Sequence, residues 1–411
     1  MQVAALLISA SYGVGFLFGS GELAVTHGMA GSLYPWLTAL GMGLLALSAG
    51  KVWLSRMAIW DVFGDIYGVG VKHQVALLSL IWMTGVLAAQ IHGGVAVLLL
   101  CGLPNYLAFP GMLGLIFGAS QLNLRAASKV FSLCLLASSF VLVFSLRKVG
   151  GEHIYFEAAP RFVNDVKGIS IRELITMTLA IVFLVVTGAD YQQFVIAARS
   201  RTDAILGCGC AAIGLLVLGA LPASAVVAAR DAGLLTGMSS AKEAIPIVLA
   251  DVSSQVGRGW GVVMLLALLA AALGSSSAII RAMTSASALV LEPKTCTGRA
   301  CASLGIVSLG GIVAERGQGI IQTMVDLNVV YIASVAPLFV LLLAGVRVMP
   351  DAAKKAINAG FMTATCFYVG KWTGLFSGQT ELTGLALGTF ASLVALEIHR
   401  RRNARSISGM R

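Results

Sequence analysis

Long apolar runs fill this sequence and restrict its possible folds more than any other feature. About twelve can be separated, and many reach the roughly 18 residues that cross a bilayer as a helix. In hydrocarbon every backbone N–H and C=O needs an internal partner, so only helices and closed barrels can span. The alternation of barrel strands is absent, and the sequence therefore predicts an all-α membrane protein. The predicted spans are 3–26, 29–50, 74–100, 106–121, 127–147, 172–190, 204–229, 260–290, 300–314, 319–346, 355–376 and 380–398.

The composition and the distribution of charge indicate a lipid bilayer as the surroundings. The chain is 58% hydrophobic and 11% charged, whereas soluble domains are about 25% charged. The net charge of +10 does not indicate a nucleic-acid partner, because the basic residues are spread over short loops and the C-terminal tail. With a cytoplasmic N-terminus, 17 of the 28 Lys and Arg lie on the cytoplasmic side and 10 on the other. That bias predicts an integral plasma (inner) membrane protein with both termini in the cytoplasm.

No pattern typical of an enzyme is present. The seven cysteines are scattered through apolar segments without paired spacing. A nucleophile–base signature, a phosphate loop and a zinc motif are all missing from the sequence. We therefore expect no enzymatic activity, no catalytic residue and no cofactor.

The first span is rich in glycine, which favours a break in the helix. Gly13, Gly15, Gly19 and Gly21 fall within nine residues, and each glycine in a helix interior costs about 1 kcal/mol relative to alanine. We predict an interruption near Tyr12–Gly15. Broken helices line the binding sites of many secondary transporters, although small residues also allow unbroken helices to pack closely.

A second candidate break follows five spans later. The segment VVTGADYQQF places Gly188 beside Asp190, Gln192 and Gln193. Two interruptions at this separation are typical of an inverted repeat of five helices plus five. The halves show no visible sequence identity.

The eighth span carries hydroxyls at the depth of the membrane centre, at Ser275–Ser277, Thr284, Ser285 and Ser287. Hydroxyls and free carbonyls are hard oxygen ligands suited to Na⁺, but the same side chains also back-bond within helices. Four ionisable side chains lie in or near spans, and each needs a partner or a role because an unpaired buried charge is costly. They are Glu22, Asp190, Arg281 and Asp326. A structural ion pair is the alternative for Arg281 and Asp326.

Four segments, taken in order, resemble the sodium/solute symporter family over nearly the whole chain. They are FLFGSGELAVTHGMAG, TGADYQQFVIAARSRTDAILG, ALLAAALGSSSAIIRAMTSASALVLE and YIASVAPLFVLLLAG. The resemblance implies the LeuT-type fold in a single transmembrane domain, 1–411. Its parts are repeats at 3–147 and 172–346, two extra helices at 355–398 and a basic cytoplasmic tail at 399–411. It also implies transport of sugars, proline, pantothenate or similar solutes.

The same resemblance implies a Na⁺ site and makes Na⁺ the expected coupling ion. Its ligands are the hydroxyls of Ser276 and Ser277 and the carbonyls of Ser9, Tyr12 and Leu273. The alignment of the serine pair can shift by one residue within Ser275–Ser277. The stretch LRAASKVFSLC departs from the family by lacking its Thr-Asp pair. Arg281, one turn beyond the serines, is a second departure. We expect it to point away to the cytoplasmic vestibule; a guanidinium folded into the site would instead make uptake independent of Na⁺.

Together these features predict a secondary active transporter of a small organic solute, working by alternating access. The predicted substrate-binding residues are Tyr12, Gly13, Gly15, Glu22, Asp190, Tyr191 and Gln193. H⁺ coupling through Glu22 or Asp190, or transport without a coupling ion, is the nearest alternative. A channel or a non-transporting membrane sensor is the alternative from another class. The sequence leaves the identity of the solute and the oligomeric state open.

Overall fold

The chain is helical wherever its structure is described. The computed structural model describes residues 2–121, 139–238, 240–256, 258–291, 295–315, 319–346, 348–376, 378 and 380–408. No strand occurs in these ranges. The α-helices are α1 (Gln2–Ser11), α2 (Val14–His27), α3 (Leu33–Ser55), α4 (Ile59–Tyr67), α5 (Val69–Leu100), α6 (Asn105–Ser120), α7 (139–148), α8 (Glu152–Phe156), α9 (Ala158–Asp165), α10 (Ile171–Thr187), α11 (Ala189–Ile196), α12 (Arg201–Asp231), α13 (Ala244–Val256), α14 (Arg258–Leu291), α15 (Cys296–Ala314), α16 (Ile320–Leu343), α17 (Pro350–Trp372) and α18 (Glu381–Ser408).

The predicted apolar segments coincide with these helices. The fifth segment, 127–147, lies partly outside the described residues, and α7 is its described end. The LRAASKVFSLC stretch also lies outside them. Seven stretches of the described chain are long and apolar enough to cross a membrane. The membrane-helix class is thus supported, while the count of twelve spans stays a prediction.

Four short helices are not predicted from the sequence. The helices α4, α8, α9 and α13 contain 9, 5, 8 and 13 residues, so a search for spanning lengths passes over them. The basic cytoplasmic tail predicted at 399–411 stays a prediction, and α18 continues through most of it as a helix to Ser408. Arginine is a good helix former, and a helix that has left hydrocarbon can continue into water.

Helix packing repeats after a shift of five spans. The shift carries α1–α2 onto α10–α11, α3 onto α12 and α5 onto α14. The contact of α1 with α12 then corresponds to that of α10 with α3, and both are present. The extensive α3–α12 and α5–α14 contacts each map onto themselves. This pattern is that of two structural repeats, whose residue boundaries at 3–147 and 172–346 stay a prediction.

A buried ion cluster fastens the last two helices to the second repeat. The helices α17 and α18 pack against each other and against α16. The Lys371 ammonium donates to Asp326 Oδ1 at 3.0 Å and Oδ2 at 3.1 Å, and also to Glu381 Oε1. The Asp326 side chain is 2% exposed. Asp326, which the sequence analysis expected to need a partner, therefore belongs to an ion pair at the edge of the bundle.

We predict that Lys371→Met lowers the unfolding temperature of the purified protein. The change leaves the carboxylates of Asp326 and Glu381 without their shared cation, and removing one partner of a buried pair costs about 3–5 kcal/mol. Thermal unfolding in detergent measures the effect. Lys51→Met, at an exposed lysine of α3, is the control and should unfold with the wild type. An unchanged unfolding temperature for Lys371→Met would show that the cluster contributes nothing to stability.

Candidate solute site

The first helix pair is interrupted where glycine density predicts it. Helix α1 ends at Ser11 and α2 begins at Val14. Gly13 between them is extended, with φ −81° and ψ 176°. A Cβ on Gly13 would lie 2.6 Å from Gln90 Oε1 and 2.8 Å from the Ser275 Cβ. Glycine is therefore required here by the close approach of α5 and α14, and the predicted break is confirmed.

Two side chains from those helices satisfy the backbone groups that the break sets free. The Gly15 N–H donates to Gln90 Oε1 at 3.2 Å, and the Ser275 hydroxyl donates to the Ala10 carbonyl at 2.8 Å. Both side chains are buried, at 3% and 1% exposure. The four terminal N–H and C=O groups of a helix lack helical partners, and in hydrocarbon they must find others. Sequence analysis does not predict Gln90, whose only signal is an isolated carboxamide within the apolar third span.

The second break lies at Gly188, as predicted. Helix α10 ends at Thr187 and α11 begins at Ala189, with Gly188 extended at φ −66° and ψ 121°. A Cβ there would lie 2.7 Å from Asp190 Oδ1 and 2.7 Å from the Leu184 carbonyl. The Asp190 carboxylate thus folds back against the start of α11. It is 4% exposed, and its Oδ1 has no hydrogen-bond partner among the described residues.

Most of the predicted substrate-binding residues gather at these two breaks. Helix α1 contacts α11, which brings the interruptions together. Tyr12 is fully buried and its hydroxyl reaches the Leu218 carbonyl at 3.3 Å. Gln193 Nε2 donates to the carbonyls of Asp190 at 2.8 Å and Ala278 at 3.3 Å, which ties α11 to α14. Tyr191 is 6% exposed.

Glu22 lies away from the two breaks, and its predicted role in substrate binding stays a prediction. It is nine residues beyond Gly13 on α2, or about 13 Å along the axis at 1.5 Å per residue. Its Oε2 accepts the Ile320 N–H at 2.9 Å and so caps the start of α16. It borders a cavity of about 310 Å³ between α2, α10, α16 and α18, here called the vestibule. Its charged lining residues are Glu22, Arg172, Glu173 and Glu381.

The α14 serines are arranged differently from the expected ion site. The hydroxyls of Ser276 and Ser277 donate within their own helix, to Ala272 at 2.8 Å and Gly274 at 2.9 Å. The contact with the first span is made by Ser275, one residue earlier in the register. Arg281 Nη2 donates to Ser277 Oγ at 2.8 Å, so its guanidinium folds back toward the serines instead of away, as long helical side chains tend to do. The ligand roles of Ser9, Tyr12, Leu273, Ser276 and Ser277 stay predictions.

Comparison with solved structures identifies the fold that this geometry defines. A Na⁺-coupled sialic acid symporter, in a substrate-bound outward-open state, has a TM-score of 0.66 at 13% identity over 97% of this chain and 95% of that one. Mhp1, a nucleobase-cation-symport-1 family transporter in a closed conformation with bromovinylhydantoin bound, gives 0.59 at 13% identity over 97% and 91%. MhsT in complex with L-phenylalanine gives 0.53 at 11% identity over 96% and 97%.

These similarities extend over nearly the whole chain and therefore show its fold. The chain is an all-α membrane protein with the LeuT-type fold. The count of five helices plus five followed by two helices stays a prediction. No protein-family model matches the sequence, and no curated protein matches it. The chain is thus similar to these transporters in architecture.

We predict that Ser275→Ala destabilises the protein more than Ser276→Ala. The first change leaves the Ala10 carbonyl at the end of α1 without its donor, and an unsatisfied buried group costs about 1–3 kcal/mol. The second removes a hydroxyl that only back-bonds to its own helix, where the loss should stay near zero. Thermal unfolding of the two variants side by side measures the difference. Equal decreases in the unfolding temperature would mean that the hydrogen bond from Ser275 to the Ala10 carbonyl contributes no more to stability than a hydrogen bond within α14.

Proposed function

We propose that this protein is a secondary transporter that carries a small organic solute by alternating access. The observation that carries the proposal is the pair of breaks, at Tyr12–Gly13 and at Gly188, in helices that contact each other. Such breaks place backbone groups and buried side chains around a space at mid-membrane, which is where secondary transporters bind their solutes. The three similar structures, which hold or are named for small organic solutes, support this reading of the fold.

The vestibule supports a route from one membrane side to the breaks. Gly19 of α2 borders the cavity, and Gly13 lies six residues earlier, at the break that precedes α2. Phe16 occupies the turn between them. Its ring lies 5.5 Å from that of Tyr34 in an edge-to-face contact and 5.1 Å from that of Tyr12. We assign these rings as the gate that separates the vestibule from the solute site.

Arg281 supports transport that does not use Na⁺ at the serines. A Na⁺ ion there would share the Ser277 hydroxyl with a guanidinium that already donates to it at 2.8 Å. Two cations on one hydroxyl repel each other, and in a low dielectric that repulsion is strong. The proposal is that the fixed charge of Arg281 takes the place of the ion. In the alternative of H⁺ coupling, Asp190 is then the residue that takes up the proton, because the Glu22 carboxylate already accepts a hydrogen bond from the Ile320 N–H.

The transport proposal is tested by counterflow. Purified protein is screened for thermal stabilisation against a solute library with and without Na⁺, and stabilising solutes are loaded into proteoliposomes. We expect at least one solute to exchange across the membrane faster than in protein-free liposomes. Gly43→Ala, at a position of α3 where a Cβ meets nothing within 4 Å, should exchange like the wild type. If every stabilising solute fails to exchange, the protein is not a transporter of these solutes.

The coupling proposal has a separate test in Arg281→Ala. We expect the wild type to unfold at the same temperature in Na⁺ and in K⁺ buffers. Arg281→Ala frees the serines, so Na⁺ should raise its unfolding temperature in proportion to the logarithm of concentration once binding is saturated. Arg299→Ala, at an exposed arginine of α15, should respond as the wild type does. Stabilisation of the wild type by Na⁺ would instead restore the Na⁺ coupling that the sequence analysis predicts.

A further inference from the structure

The α2 N-terminus, one of two positive helix ends at the break region, is already covered by the chain itself. A helix N-terminus carries about half a positive charge and is a natural site for anions. At α2 the Gln90 carboxamide occupies this position, with Oε1 accepting from Gly15 N–H at 3.2 Å. Both polar atoms of the carboxamide lie within 2.8 Å of a Cβ built on Gly13. A solute carboxylate could reach these N–H groups only by displacing Gln90.

The other positive end, that of α11, is covered by Asp190. This residue lies in the first turn of α11, and its Oδ1 folds against Gly188, the residue that precedes the helix. The favourable interaction between a carboxylate and a helix N-terminus is thus made within the chain. Neither positive helix end is left for an anionic group on a solute.

Beside the breaks the chain also holds the guanidinium of Arg281, which donates to Ser277 on α14. The breaks themselves present negative groups: the carboxyl ends of α1 and α10 carry a partial negative charge, and Asp190 Oδ1 is buried without a hydrogen-bond partner among the described residues. A buried, unpaired carboxylate oxygen is costly unless something binds it. The charge of Asp190 acts on the hydroxyls of three buried tyrosines, namely Tyr34, Tyr191 and Tyr331. Tyrosine rings are among the groups with which proteins bind organic ammonium ions.

The vestibule has the same bias. Three carboxylates, those of Glu22, Glu173 and Glu381, border it together with the single guanidinium of Arg172. Glu22 accepts the Ile320 N–H and interacts with the charge of Lys242, and Glu381 binds Lys371. An excess of one sign in a concave, low-dielectric entrance raises the local concentration of the opposite ion. The entrance and the site therefore favour the same charge on the solute.

We infer that the solute is a small organic ammonium ion whose charge binds Asp190 among Tyr34, Tyr191 and Tyr331. The inference rests on the proposed transport function and names its substrate class. Gln90 acts in it as a specificity-determining residue, because its carboxamide keeps carboxylates from the start of α2.

The test compares matched probes that differ in charge. Purified full-length protein in lipid nanodiscs is titrated with two series of probes. Each probe is raised to a concentration of about 10 mM, which is high enough to detect binding with a millimolar Kd. One series holds n-butylammonium, butyramide and butyrate; the other holds phenethylammonium, 3-phenylpropanamide and 3-phenylpropanoate. We expect only the ammonium member of a series to raise the unfolding temperature. A carboxylate that stabilises more than its ammonium counterpart would overturn the inference, and so would the absence of any shift in both series.

Asp190→Asn locates the binding group. It keeps the size of the side chain and removes its charge, so the apparent affinity for the stabilising ammonium probe should fall at least tenfold. Asp65→Asn, at an exposed carboxylate of α4, should bind the probe as the wild type does. Undiminished binding by Asp190→Asn would place the ammonium group elsewhere and refute the assignment.

Gln90→Ala provides a gain-of-response test that does not depend on the first variant. Removing the carboxamide opens the start of α2, so 3-phenylpropanoate should stabilise this variant although it does not stabilise the wild type. A folded Gln90→Ala without that response would refute the role of Gln90. Counterflow separates the two proposals. Binding of an ammonium probe without exchange refutes transport and leaves the inferred ligand class intact. Exchange of an anionic solute supports transport and refutes the inferred substrate class.

Discussion

A helix that stops in the middle of a bilayer leaves backbone groups that water cannot reach, and the rest of this structure is arranged around that requirement. At the first break Ser275 supplies a donor to the Ala10 carbonyl and Gln90 an acceptor to the Gly15 N–H. Both side chains stand on α5 or α14, the pair of helices that pack closely on each other across the repeat. Interhelical hydrogen bonds in membranes average only about 0.6 kcal/mol. They can hold a broken helix in register, and in the proposed transport cycle they are weak enough to exchange as α1 and α2 move.

The helices around the vestibule are likewise held by a small number of polar contacts. Glu22 of α2 caps the start of α16, and Lys371 binds Asp326 of α16 to Glu381 of α18. Helix α16 is therefore held from one side by a helix of the broken pair and from the other by the peripheral helices. In the proposed transport cycle a movement of α2 that closes the vestibule has to release or carry the Glu22–Ile320 contact. The Asp326 cluster, deeper in the same helix, keeps the opposite wall fixed meanwhile.

Sequence alone predicted the parts of this molecule that depend on local chemistry. The length of the apolar runs predicts the helices. The glycine density around Gly13, and the single Gly188 beside polar side chains, predict the breaks, because glycine destabilises a helix within its own turn. Gln90 and Ser275 could not be predicted, since their partners lie 75 and 265 positions away along the chain. One residue of register decides whether Ser275 or Ser276 faces α1. The direction of the Arg281 side chain depends on its rotamer. The tendency of long helical side chains to point toward the N-terminus predicts the observed contact with Ser277, whereas the argument from the serine pair predicts the opposite direction.

The two proposals about charge support each other energetically. If Arg281 fills the place of a coupling cation, the solute cannot draw on a sodium gradient at that position. Without a coupled proton, a neutral solute would then only equilibrate. A monovalent ammonium ion, however, is itself driven toward the negative side of the membrane by about 2.3 kcal/mol per 100 mV, which corresponds to roughly a fiftyfold concentration ratio at tenfold per 1.4 kcal/mol. A fixed guanidinium near the serines and a cationic solute at Asp190 thus form a consistent design, in which the membrane potential supplies the work that a bound Na⁺ would otherwise supply.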